Sequence, residues 1–265
     1  MKSKSYYYYY YYYSALLACL ICLLLSCEKD PEIYTFDIAP IQISLKTNIN
    51  GDRFTLNEAN FSDQMGRTYQ VELLKFYLSN WFLEKNDGLF IELAEVCLLD
   101  YASDSVLLIN AYVDTGKYEY LHFGLGLDSN LNASDPINFL SAHPLSIAQN
   151  TYWTWATMYK FFMLEGRVAQ LGENIPDQIF SYHSGLDTLY REICLPLNQV
   201  YIPSEGAVIS LEMDLAKVIN GSAGNIDLIE ESFSHTIENF EIVETLSDNL
   251  LNSFSITNLS INSSK

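Results

Sequence analysis

The sequence predicts a mainly β protein, a β-sandwich with loop insertions and one C-terminal helix. Three observations carry this. Apolar and polar residues alternate over many short segments, as strands with one buried face require. Turn-forming stretches such as Asn48-Ile49-Asn50-Gly51-Asp52 and Asn86-Asp87-Gly88 separate those segments. Only Ile237 to Phe254 is convincingly helical, with Phe240, Val243, Leu246, Leu250 and Phe254 near one face.

Residues 1–26 read as a lipoprotein signal peptide. Lys2 and Lys4 give a short positive region, and Ala15 to Leu25 an apolar run too short to span a bilayer. The run ends Leu24-Leu25-Ser26-Cys27, a lipobox, with the polar Glu28-Lys29-Asp30-Pro31 directly after it. Cys27 is therefore the expected lipidation site. It would tie the chain to the outer membrane of the cell envelope, on its periplasmic or its surface face. Tyr6 to Tyr13, eight tyrosines in a row, fall in the discarded segment and receive no function. Residues 27–39 read as lipid anchor and tether, and residues 40–258 as one β-sandwich domain.

Along that domain, Ile41, Ile43 and Leu45 alternate with Gln42, Ser44 and Lys46. Val71 to Glu84 is an aromatic-rich strand with Leu74, Phe76 and Leu78 on one face and Lys75, Tyr77, Ser79 and Trp81 on the other. Leu89 to Asp100 reads as one or two strands, and Lys117 to Leu125 as another. Asp128 to Pro136 reads as a polar loop. Tyr152 to Val168 reads as one long strand carrying Trp153, Trp155, Tyr159, Phe161 and Met163 on one side. Ile179 to His183, Thr188 to Leu197 and Ala207 to Leu215 follow as strands. Thr236 is the expected cap of the last helix.

Cleavage before Cys27 removes Lys2 and Lys4 and no acid, taking the formal charge from −19 to −21. Such a surface repels phosphate backbones, so no nucleic-acid partner is expected. Cys19 and Cys22 leave with the signal, so Cys97 and Cys194 are the remaining thiols beyond the lipid cysteine. In an oxidising envelope they could pair as a disulfide or stay as two free thiols.

No nucleophile elbow or phosphate-binding glycine loop is present, and the Cys-x-x-Cys formed by Cys19 and Cys22 leaves with the signal, so no enzymatic activity is expected. Phe123-Gly124-Leu125-Gly126-Leu127-Asp128 lacks a third glycine and reads as a strand-ending turn. His122 lies within a strand. His143, His183 and His235 lie at a loop, a strand end and the approach to the helix, places where metal ligands from separate elements converge. Taken alone, each reads first as an ordinary histidine, and Trp153 and Trp155 read first as core packing.

Taken in order, several of these segments resemble the MbnP-like copper-binding proteins, envelope proteins associated with methanobactin systems. They are Leu74-Lys75-Phe76-Tyr77-Leu78-Ser79-Asn80, Phe123 to Asp128, His143-Pro144-Leu145-Ser146, Tyr152-Trp153-Thr154-Trp155, Tyr159-Lys160-Phe161 to Leu164-Glu165-Gly166, Tyr182-His183-Ser184-Gly185 and His235-Thr236. The resemblance implies a β-sandwich that binds copper through His143, His183 and His235. It also implies that Trp153 or Trp155 is a redox-sensitive indole, open to oxidation to kynurenine by a di-haem, peroxidase-like partner enzyme. The chain departs from the family branch that carries a four-cysteine motif. The competing reading is a surface module that binds glycan or protein through its aromatic residues, without metal.

Overall fold

The computed structural model describes residues 37–59, 61–103, 107–153 and 158–262, all within the compact unit Asp37–Lys265. In chain order the strands are β1 (Ile38–Ile49), β2 (Asp52–Arg53), β3 (Phe61–Ser62), β4 (Thr68–Lys85), β5 (Phe90–Asp100), β6 (Leu107–Asp114) and β7 (Gly116–Leu125). A short helix α1 (Ser129–Asn132) follows, then β8 (Tyr152–Trp153), β9 (Met158–Val168), β10 (Gln178–Gly185), β11 (Arg191–Ile202) and β12 (Ala207–Asp214). The chain ends with α2 (Leu215–Ile219), β13 (Phe233–His235), α3 (Phe240–Leu250) and β14 (Phe254–Ile261).

The described strands form two main sheets. One runs β14-β12-β1-β2 with β6 on β1; the other runs β11-β7-β4-β9-β10-β13 with β3 and β5 on β4 and β8 on β9. Ile41, Ile43 and Leu45 of the first sheet share one apolar cluster with Leu74, Phe76 and Leu78 of the second. Facing sheets with a common core make this the sandwich that the alternation predicts.

The loop insertions cover the second sheet's other face. Tyr77 and Phe161 there form a separate apolar cluster with Leu127, Leu145 and Tyr159. Asp128 caps α1 by accepting from the Asn130 and Leu131 amides, and Asp135 accepts from Ile137 N–H. These acids of the polar loop are thus fixed as helix and turn caps. Gly126 ends β7 at φ +90° with Phe161 against it, the strand-ending turn expected there.

Three details differ from the sequence expectation. Strand β4 carries a bulge at Asn80, in the left-handed region at φ +52°, and its register shifts between Ser79 and Phe82. The extra residue reverses the alternation, so Trp81 joins Leu83 in the main core instead of following Tyr77 outward. Asn80 is held by bonds from its Nδ2 to Asp128 Oδ2 at 2.8 Å and to the Tyr190 hydroxyl at 3.0 Å.

Second, Tyr152 to Val168 is not one strand. Tyr152 pairs with Tyr159 and Trp153 with Met158, antiparallel, so β8 folds back on β9. Third, the helix is shorter than expected and not terminal; β14 follows it and closes the first sheet against β12.

Of the two alternatives open for Cys97 and Cys194, the structure has the free thiols. Strands β5 and β7 both pair with Leu78, Phe82, Leu83 and Glu84, so they lie on opposite edges of β4, with β11 beyond β7. Three strand spacings, roughly 14 Å, separate the cysteine-bearing strands. A disulfide needs Cα atoms within about 7 Å.

Trp81→Ala should cost about 3–5 kcal/mol in urea unfolding, the loss expected for a fully buried aromatic. A cost below about 1 kcal/mol, typical of a surface position, would contradict the shifted phase after Asn80.

Candidate metal centre

Phe180 and Tyr182 of β10 point into the main core, so Ser181 and His183 between and beyond them point to the sheet's other face. Strand β13 lies beside β10 in parallel, pairing Ser181 with Phe233 and His183 with His235. This register sets the two imidazoles side by side. Their rings stack at 4.6 Å between centroids, 6° from parallel. Trp153, from β8, closes the group with its ring 5.5 Å from each imidazole.

The turn after β13 holds this register. Thr236 does not cap α3, whose cap position is Asn239. Its hydroxyl instead donates to the His183 carbonyl at 2.6 Å, tying β13 to β10 at the histidines themselves. Thr236 is fully buried at φ +57°, a conformation that costs a β-branched residue about 1–3 kcal/mol. The Asn239 side chain donates to Phe233 O, and Ser234 Oγ donates back to the Glu238 and Asn239 carbonyls.

His183 is only 7% exposed, and its Nε2 lies 2.6 Å from Glu165 Oε1 on β9. Burial, then His235 and Lys160, pulls its pKa down to about 3. A neutral imidazole bonded to a carboxylate must carry its proton on the bonded nitrogen, so Nε2 donates and Nδ1 keeps the lone pair. That Nδ1 is buried and has no hydrogen-bond partner among the described residues. Burial also lowers the His235 pKa, against the opposing charges of Glu238 and Glu165, and its Nε2 is 3.4 Å from Ser181 Oγ. Lys160, largely buried and with its pKa lowered by that burial, sets its ammonium 4.9 Å from the Trp153 ring centroid.

The structure thus brings together His183, His235 and Trp153 of the residues nominated from sequence. His143 is not gathered with them: its ring stacks on Phe139 at 4.4 Å and its Nδ1 accepts from Leu145 N–H at 3.1 Å. Among the described residues no group of three or more His, Cys, Asp or Glu is placed to hold a metal ion. The expected three-histidine centre is therefore a histidine pair, because the loop carrying His143 spends that ring on local turn structure. Trp155 and Cys27 lie outside the described residues. His122, on β7, bonds Glu84 Oε2 at 2.7 Å, apart from the pair.

Sequence reasoning missed Glu165, Lys160, Ser181 and Thr236. The Tyr182-His183 segment and Leu164-Glu165 stood in the same set of matching pieces, but their pairing depends on the β9–β10 register. An orphaned buried Nδ1 suits a cation with an affinity for imidazole: its lone pair is available, and a carboxylate orients the ring from behind. Neutral imidazoles are the form that ligates, and burial favours that form at both.

The fold and site together define a β-sandwich with a histidine pair and a tryptophan on the outer face of one sheet. A family model described as MbnP matches residues 39–238, and the chain belongs to the MbnP family. MbnP from Methylosinus trichosporium is a similar solved structure, at 14% identity over 72% of this chain and 80% of that one, with a TM-score of 0.47. Comparison with curated proteins gave no match.

The low pKa of His183 has a definite sign. Because the folded value lies below the unfolded one, this group's contribution to stability is complete above about pH 6.5 and declines as pH falls toward about 3. In ¹⁵N-histidine NMR, His183 should appear as the neutral Nε2–H tautomer and stay neutral at about pH 5. Protonation of His183 near its ordinary value, about 6.5, would contradict the site described.

Proposed function

We propose that this chain is a cell-envelope lipoprotein that binds copper, or another transition metal, through His183 and His235, and that it is not itself an enzyme. The observation that carries the reading is the His183 Nδ1: buried, unpartnered, and left with its lone pair by the Glu165 bond. His235 stacks beside it and supplies a second imidazole. Imidazole nitrogens suit copper, zinc, nickel and iron, and membership of the MbnP family favours copper within that group. Bound copper would supply one-electron redox chemistry next to the Trp153 indole.

Each residue of the group has a distinct task in this reading. Glu165 fixes the His183 tautomer and raises the donor strength of its free nitrogen. Thr236 fixes the spacing of the pair through the His183 carbonyl. Trp153 shields both rings and is the indole that a di-haem, peroxidase-like partner would oxidise. The lipid on Cys27 holds the domain at the outer membrane. Among the described residues no helix is long and apolar enough to cross a membrane.

Copper titration of the purified protein tests the site. The wild type should take up a single tightly held equivalent. His183→Ala and His235→Ala should each lose at least about tenfold in affinity, since each removes a ligand, while His143→Ala should keep it. Unchanged binding in His183→Ala would overturn the assignment. Cell fractionation tests the anchor: Cys27→Ala should leave the membrane fraction, and retention after high-salt washing would refute lipidation there.

A further inference from the structure

We propose that Met163 is a third, thioether ligand of the histidine-pair site and makes it selective for soft monovalent metal ions. This rests on the reading above that the pair holds a metal. Met163 on β9 pairs with His183 on β10, and His183 pairs with His235 on β13. The three residues therefore form one row across three adjacent strands. Side chains directly opposite each other share a sheet face, with Cβ atoms about 4.5–5.5 Å apart. The row continues to Lys75 on β4, whose ammonium is engaged by Asp100 and the Gln149 carbonyl.

Met163 is 7% exposed, yet among the described residues it joins neither the main core cluster nor the second apolar cluster beneath the loops. Its strand neighbours Phe162 and Leu164 join the first and Phe161 the second. Met163 is thus sequestered from water in the row that carries the imidazoles. On the same face, two residues along, Glu165 orients the His183 ring. Strand β9 thereby presents an orienting carboxylate and a soft donor to the same histidine.

The thioether also accounts for what the site otherwise lacks. Two imidazoles are a thin ligand set, and no third His, Cys, Asp or Glu joins them among the described residues. A thioether is a weak hydrogen-bond acceptor but a good donor to soft ions, and its three rotatable bonds let Sδ swing toward a neighbouring strand. A donor set of two imidazoles and one thioether discriminates against the hard ions that oxygen-rich sites prefer, and the thioether adds affinity for soft ions that zinc does not share.

Silver(I), a redox-inert and diamagnetic soft ion, is the probe. Wild-type protein labelled with ¹³C at the methionine methyls and ¹⁵N at histidine is titrated with silver and, separately, with zinc. The Met163 methyl and the His183 Nδ1 should shift together with silver, while Met65 and Met213 stay in place. Met163→Leu, a volume-conserving change, should bind silver at least about tenfold more weakly and zinc within about twofold of wild type. A silver-induced shift at His183 with the Met163 methyl unmoved would overturn the thioether ligand and leave the histidine pair standing. So would a shift at Met158 in place of Met163. Silence at His183 and Met163 alike would overturn both readings.

Discussion

Parallel pairing of β13 with β10 places His183 directly against His235, and the local architecture of the site depends on that register. A slip by one residue would turn His235 to the opposite face of the sheet, because side chains alternate. The short edge strand β13 has three residues with which to specify this alignment. Much of the specification comes from Thr236, which accepts a left-handed backbone in order to bond the His183 carbonyl. A hydrogen bond in a buried setting contributes about 0.5–1.5 kcal/mol net, comparable to the strain it offsets. The turn is therefore near neutral for stability, and what it secures is position.

The second constraint is charge. Burying an imidazole next to a lysine and a second imidazole favours the neutral ring, as the depressed His183 pKa reflects. Glu165 does not reverse this. It accepts the Nε2 proton as a hydrogen bond and so selects the tautomer, leaving Nδ1 without a partner at a cost typical of a buried unsatisfied atom, about 1–3 kcal/mol. A protein that tolerates such a cost at one residue, flanked by strain at Thr236, concentrates its departures from ideal packing at one place. Proton competition for His183 accordingly sets in well below the ordinary histidine range.

The architecture was legible in the sequence because alternation reports burial strand by strand. Ile41, Ile43 and Leu45, and Leu74, Phe76 and Leu78, are core residues of opposite sheets as their pattern requires. The phase of Trp81 was not legible, since a bulge at Asn80 adds one residue without a glycine or proline to mark it. The antiparallel pairing of Tyr152 with Tyr159 and Trp153 with Met158 was hidden likewise, because aromatic residues suit one long strand as well as two paired ones. At the site, two of three nominated histidines and one tryptophan are together, whereas His143 serves its own turn. Glu165 and Met163 were out of reach: their relation to His183 is a cross-strand register, a long-range property absent from local spacing.

If the open Nδ1 of His183 is a metal ligand, copper must sit on it. Diffraction from copper-loaded crystals, with anomalous differences collected at the copper edge, tests it most directly. One dominant anomalous peak is expected within bonding distance, about 2 Å, of His183 Nδ1, beside the His235 ring. A copper peak elsewhere, with His183 Nδ1 still unpartnered, would contradict it.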